Sequence, residues 1–335
     1  MKLPRFDLSE PKSLKSASRL LAERGDRAMV IAGGTDLMQS LKDRLKSPEL
    51  LVDLGNLPHL DRIEYSTRRG LKIGALVTIR QLARDPLIRS KYPMLSQSAS
   101  GVGSPQLQAM GTVGGNLCQD SLCLYYNRSP MMRLPLEPCL KLDGKLCNAV
   151  SGSLECWAVY SGDLAPVLMA LDATVTIADS VGKYTMPLSE FYSGDGKRPN
   201  RLKAGQILTE ISVPSPLPGS GGVYLKMRQR QTVDYPLLGV AVHLVLADGY
   251  CRELRLALTA VDRAPLLIRE AEEVKGKRIG AEEIERLAQA AFRSARPLNN
   301  VIELTPKYRR QMVKVYVRSA IARALEQATQ GGERG

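Results

Sequence analysis

The segment Ile31-Ala-Gly-Gly-Thr-Asp-Leu37 places two glycines, a threonine and an aspartate between an apolar strand and an amphipathic helix. Glycine lets the backbone take positive φ and approach a phosphate closely; the N–H groups that follow and the Thr35 hydroxyl can then bind phosphate oxygens. The motif is neither G-x-G-x-x-G nor a P-loop, so neither standard nucleotide fold is implied. A plain turn with Asp36 capping the next helix accounts for the same residues. A second segment, Gly111-Thr-Val-Gly-Gly-Asn116, again sets glycines beside a hydroxyl and an amide, about 80 residues further on. Two such loops can grip the two ends of one diphosphate, which points to a dinucleotide without choosing between FAD and NAD.

Outward from the first loop, residues 1–55 read as a small α/β unit. A helix spans Leu14–Leu21, a strand Ala28–Ile31, a helix Leu37–Leu45 and a strand Leu50–Leu54, a βαβ-like rhythm. Residues 56–215 continue with short strands at Arg62–Tyr65 and Leu71–Ile73 and a helix at Thr78–Arg84. A Gly/Pro-rich stretch at 101–116, an irregular cysteine-bearing segment and a helix–strand pair at Ala165–Ile177 follow. Pro214–Gly222 looks like a connector. Beyond it, strands at Val223–Met227, Leu238–Leu246 and Cys251–Thr259 precede charged helices at Ala281–Ser294 and Lys307–Gln327. Strands followed by helices indicate an α+β domain over 216–330.

The chain has 335 residues, 44% apolar and 24% charged, which suits two or three globular domains. No apolar run approaches the roughly 18 residues of a membrane span. The N-terminal stretch lacks the apolar core of a secretory signal, so a cytoplasmic protein is expected. Net charge is +13. The basic residues are scattered, apart from Lys226–Arg230 and Lys307-Tyr-Arg-Arg310, and only three Phe and one Trp offer stacking surfaces. That argues against nucleic acid and leaves a solvated surface or an acidic partner. His59 and His243 are the only histidines, and His243 lies in an apolar run. No credible acid–base pair is in view, and His243 reads as a packed strand residue rather than a catalyst.

Of six cysteines, Cys118, Cys123, Cys139, Cys147 and Cys156 fall in one segment, and only Cys251 stands apart. In a reducing compartment such clustering suggests metal or redox chemistry rather than disulfides. From Cys123 the intervals are 16, 8 and 9 residues. Structural zinc uses paired C-x₂₋₄-C knuckles; Cys118 and Cys123, with four residues between them, are the nearest approach. Widely spaced single cysteines favour an iron–sulfur cubane, while zinc and free thiols stay open on spacing alone.

Four stretches come in a characteristic order: AGGTDL at 32–37, GSPQLQAMGTVGGNL at 103–117, SGDLAPVLMALDA at 161–173, and Lys226 ahead of VDYPLLGVAV at 233–242. Together they resemble the medium, FAD-binding subunit of the xanthine dehydrogenase and carbon monoxide dehydrogenase family of molybdenum hydroxylases. The resemblance spans nearly the whole chain. It implies an α+β protein with a two-part FAD domain of the PCMH/vanillyl-alcohol-oxidase type, over 1–55 and 56–215. A CO dehydrogenase flavoprotein C-terminal-like α+β domain would follow. On this resemblance the pyrophosphate contacts fall on Ala32, Gly33, Gly34, Thr35 and Asp36, with Val30, Ile31 and Leu37 alongside. The second loop contributes Thr112, Gly115 and Asn116, with Gly111 and Gly114 shaping the turn. Asp120, Asp163 and Lys226 match positions near the flavin or adenosine; a cation at Lys226 would stabilise the anionic reduced flavin. A surface salt bridge is the plainer reading of Lys226.

The cysteine segment, an insert at about 118–160, resembles one branch of that family, the β subunit of 4-hydroxybenzoyl-CoA reductase. The run Cys123-Leu-Tyr-Tyr-Asn-Arg-Ser, the intervals, Gly162-Asp-Leu-Ala-Pro166 and KYRRQMV at 307–313 carry the match. It implies a [4Fe-4S] cluster on Cys123, Cys139, Cys147 and Cys156, with Cys118 as the one substitute for Cys123. It further implies a molybdopterin-binding large subunit and a [2Fe-2S] small subunit, arranged as a dimer of heterotrimers, and a ferredoxin as electron donor. Two other functions stay open, the first of which this subunit's sequence does not separate from the reductase, since substrate selection lies in another chain. One is a related molybdenum hydroxylase acting on another aromatic or N-heterocyclic substrate; the other is a zinc-stabilised assembly protein without flavin.

Overall fold

The computed structural model describes residues 3–231, 233–298 and 304–332. Its first unit holds β1 (Asp7–Ser9), α1 (Leu14–Arg24), β2 (Ala28–Ile31), α2 (Leu37–Lys42) and β3 (Leu50–Asp53). The three strands form a parallel sheet in the order β1-β3-β2, with Ala28–Ile31 opposite Leu50–Asp53. Ser13 caps α1 by accepting from Ser16 N at 3.2 Å. Ala17, Leu21, Val52 and Leu54 fill the space between helix and sheet. Strand β1 has no counterpart in the sequence reading, because three residues are too few for an alternating pattern to register.

The second unit is a five-stranded antiparallel sheet with helices on one side. In chain order it has β4 (Ile63–Ser66), β5 (Gly70–Gly74), α3 (Ile79–Arg84), α4 (Pro86–Lys91), α5 (Pro93–Ser100), α6 (Pro105–Met110) and α7 (Val113–Cys118). Then come α8 (Pro130–Arg133), α9 (Leu164–Ala170), β6 (Thr174–Ala178), β7 (Lys183–Pro187), α10 (Leu188–Phe191) and β8 (Ile207–Val213). The strand order is β4-β5-β8-β6-β7. Proline opens α4, α5 and α6, where its fixed φ suits a helix and its missing N–H leaves no donor unmet. The Gly/Pro-rich stretch at 101–116, for which the sequence reading named no element, holds α6 and the start of α7. The reason is local: Ser104 and Thr112 each accept a hydrogen bond from the N–H three residues on and nucleate a short helix.

In the third unit β9 (Ser220–Met227), β10 (Leu238–Ala247), β11 (Tyr250–Thr259) and β12 (Leu266–Leu267) form an antiparallel sheet in the order β12-β11-β10-β9. The helices α11 (Ala281–Ser294) and α12 (Pro306–Gly332) cover one face. Val240, Val242 and Leu244 of β10 pack with Val313, Val317 and Ile321 of α12. Ala241 and Ala257 face the other way and meet the fully buried α9 with Tyr224. Strand alternation therefore joins the third unit to the second, and small residues on that face admit the helix. Among the described residues no helix is long and apolar enough to cross a membrane.

Candidate functional site

The two glycine loops meet backbone to backbone. A Cβ on Gly33 would lie 1.8 Å from the carbonyl oxygen of Met110, and one on Gly111 would lie 3.4 Å from Thr35 Oγ1. Gly34 takes φ +69°, the left-handed region that favours glycine. Gly111 O accepts from Ile79 N at 2.9 Å, and Gly114 N donates to Ala75 O at 2.8 Å. A Cβ on Gly114 would press within 2.8 Å of Ala75 Cβ, so the loop lies flat against the end of β5.

On one side of this contact opens a cleft of about 350 Å³, walled by Val30 through Leu37, Thr112, Gly114, Gly115 and Asp120. Residues 206–208 at the start of β8 close its far wall. On the other side a smaller cleft of about 160 Å³ is lined by Gly111, Asn116, Asp163 and Tyr235. Thr35, Asp36, Thr112, Gly115 and Gln119 line both. The loops thus form a waist between two chambers, the shape an extended dinucleotide fits with its diphosphate at the narrowing.

Several polar groups differ from the simplest sequence reading. Asp36 does not cap α2; its Oδ2 accepts from Asp120 N at 3.1 Å and ties the loops together. Burial pushes its carboxyl pKa up. Asn116 Oδ1 accepts from Leu164 N at 3.2 Å and so anchors the start of α9. Lys226 is no surface salt bridge. Its side chain is 8% exposed and that of Asp163 5%, with Nζ 2.9 Å from Asp163 Oδ2. Lys226 also donates to Gly101 O at 2.8 Å, while Tyr224 OH donates to Asp163 Oδ1 at 2.7 Å. Lys226 lines neither cleft, and the pair presents Asp163 to the smaller one.

The sequence reading missed Gln119. This buried residue lines both clefts, and its Nε2 has no hydrogen-bond partner. An orphaned buried donor costs free energy unless a ligand accepts from it, which fits a bound cofactor. No motif marks this glutamine; its position one residue past α7 was the available hint.

The insert lies beside the larger cleft. All six cysteines are free thiols, and Cys139, Cys147 and Cys156 are buried. Neighbouring thiols help raise the pKa of two of them: Cys139 and Cys147 act on Cys123, and Cys147 and Cys123 act on Cys156. Burial is the larger cause for both and takes Cys156 to about 11. Backbone N–H groups of Tyr125 and Tyr126 point at the Cys123 sulfur, and that of Ala158 at Cys156. Reciprocal 2.8 Å bonds between Leu122 and Val159 clamp the flanks of Cys123 and Cys156 together. Gly144, where a Cβ would lie 1.6 Å from Pro138 O, closes the turn after Cys139. Cys118 sits apart on α7, against Tyr160 and Tyr192, and lines the larger cleft; burial alone pushes its thiol up to about 12. Among the described residues no three Cys, His, Asp or Glu side chains converge as a site for a single metal ion.

Residues 4–216 match the family of the FAD binding domain in molybdopterin dehydrogenase, and residues 223–324 match the CO dehydrogenase flavoprotein C-terminal domain. The aldehyde oxidoreductase FAD-binding subunit PaoB of Escherichia coli is 35% identical over 262 residues, 76% of this chain and 80% of that protein. The nicotinate dehydrogenase FAD-subunit of Eubacterium barkeri is 31% identical over 274 residues, 80% of this chain and 79% of that protein. A solved carbon monoxide dehydrogenase chain from Hydrogenophaga pseudoflava superposes with a TM-score of 0.81 at 25% identity, covering 98% of this chain and 99% of that one. With the FAD-domain match spanning more than half of its length, the chain belongs to the family of FAD-binding subunits of the molybdenum hydroxylases.

Proposed function

We propose that this chain is the FAD- and [4Fe-4S]-carrying electron-transfer subunit of a 4-hydroxybenzoyl-CoA reductase. That enzyme would remove the phenolic hydroxyl reductively and leave benzoyl-CoA. The observation that carries the cluster is the gathering of Cys139, Cys147 and Cys156 within electrostatic reach of Cys123, with N–H groups aimed at the sulfurs of Cys123 and Cys156. Such N–H···S contacts are among the features that tune iron–sulfur potentials. A cubane spreads its thiolates farther apart than one zinc ion does, which agrees with the lack of a tight single-ion site among the described residues. The diphosphate would be held at the waist by Ala32–Asp36 and by Thr112, Gly115 and Asn116, with Asp120 and Asp163 toward the two chambers. Bound flavin supplies two-electron storage with one-electron release, and the cluster supplies single-electron relay.

The chain's own residues bind, orient and bury these groups. The organic substrate falls to a molybdopterin-binding large subunit, with a [2Fe-2S] small subunit between, in a dimer of heterotrimers. A ferredoxin is the proposed donor, steered by the net charge of +13. The insert contributes little to that charge: from 123 to 156, four basic residues face three acidic ones.

The test is anaerobic isolation of the complex with its natural companions. We expect flavin, iron and labile sulfide on this chain, and benzoyl-CoA formed from 4-hydroxybenzoyl-CoA with reduced ferredoxin. Flavin without iron would remove the cluster. Flavin and iron without dehydroxylation would favour a second reading, oxidation of another aromatic or an N-heterocycle, which the nicotinate dehydrogenase relative supports.

A further inference from the structure

Lys141 lies two residues beyond Cys139, in the one-turn 3-10 helix Leu140–Leu142. Its side chain is 2% exposed. The ammonium donates to Asp120 Oδ1 at 2.6 Å, Ser121 Oγ at 2.8 Å and Ser121 O at 3.1 Å, and stands 4.4 Å over the Tyr126 ring. Each acceptor leads elsewhere. Asp120 N donates to Asp36 in the first glycine loop. Ser121 Oγ donates to Gly196 O, and Gly196 N donates to Cys156 O at 3.1 Å. One buried cation therefore joins the turn after Cys139, the segment just past α7, the first glycine loop through Asp36 and the backbone of Cys156.

A buried ion pair is a poor means of gaining stability, since desolvation offsets most of the attraction, and an apolar pair of similar volume often does as well. Its advantage is directional: it fixes one geometry. The apolar contacts inside the insert are few, limited to Leu45, Tyr126 and Cys139 with Cys123 and Leu142. Cys139 opens the same one-turn helix that holds Lys141, so this cation and that cysteine belong to one turn of backbone.

We propose that Lys141 is a positioning residue between the two redox sites: it locks the cysteine-bearing insert onto the flavin cleft and holds a positive charge beside the cluster, raising the cluster's potential. The inference rests on the cluster reading above. A cation next to the cluster stabilises its more negative, reduced form.

The experiment uses the whole complex and compares wild type with K141M, K141R and the double variant D120N/K141M. Flavin, iron and labile sulfide are assayed in each, and the cluster and flavin midpoints are measured by EPR-monitored redox titration. We expect all four to keep flavin. K141M should show a cluster midpoint lower than wild type with the flavin midpoint nearly unmoved. The double variant, which removes one charge of each sign, should fall between K141M and wild type, and K141R should keep the wild-type midpoint. A wild type without iron and labile sulfide overturns the cluster reading and this proposal with it. A wild type with full iron and sulfide, whose cluster midpoint is unchanged in K141M and in the double variant, overturns this proposal alone. Loss of iron from both of those variants would make Lys141 a folding residue of the insert, and would overturn it as well.

Discussion

Gly33 Cα faces the carbonyl oxygen of Met110 so closely that a methyl group there would lie 1.8 Å from it. The waist of the flavin site exists because these two backbones touch. Gly33→Ala should therefore push the loops apart, at a cost of about 1–3 kcal/mol in stability, and abolish flavin retention on gel filtration. Gly182→Ala, with open space around the added carbon and no positive φ, is the control and should stay within about 0.5 kcal/mol of wild type. Full flavin content in Gly33→Ala would show that the loops do not bind the diphosphate.

Gln119 offers a two-sided test. Its Nε2 is buried without a partner in the protein, so Gln119→Leu should leave the apoprotein as stable or slightly more stable. The same change should weaken FAD binding by about tenfold, the equivalent of roughly 1.4 kcal/mol. Unchanged FAD affinity by calorimetry would mean the orphaned donor faces no cofactor atom.

The cysteines divide into two groups by position. Serine at Cys123, Cys139, Cys147 or Cys156 should each remove the iron–sulfur absorbance and the labile sulfide. Serine at Cys118 or Cys251 should leave both in place, since Cys118 sits against Tyr160 and Tyr192 rather than the other thiols. Retention in Cys123→Ser with loss in Cys118→Ser would exchange their roles.

His243 predicts an acid weakness unrelated to cofactor. Burial, with Arg255 adding and Asp172 opposing, lowers its pKa from 6.5 to about 4. Between those values the unfolded chain takes up a proton that the folded chain refuses, so stability is lost as pH falls through that window. The loss should approach roughly 3 kcal/mol at the acid end. His243→Asn should flatten this part of the urea-denaturation profile, and an unaltered slope would remove His243 as the cause.

The elements read correctly from sequence are those whose cause is local. The glycine loop after β2, the alternating strands of the third unit and the charged periodicity of α11 and α12 depend on backbone φ and on spacing within about ten residues. Of the four thiols that the resemblance singled out, Cys123 and Cys156 lie within electrostatic reach of Cys147, a proximity that the spacing does not dictate. Glycine misled at 111–116, read as a loop, where α7 starts behind the Thr112 cap, and at 105 the one proline of the stretch opens α6 behind the Ser104 cap.

What tertiary structure alone decided is the pairing of buried charges and the far walls of the site. Asp36 bonds Asp120 rather than its own helix, Lys226 pairs with Asp163, and Lys141 reaches back 21 residues to Asp120 just past α7. Residues 206–208 reach the cleft from a strand about 170 residues downstream of the first loop. A charge excluded from water must take whichever partner the packing brings near, and no periodicity or spacing along the chain encodes that choice.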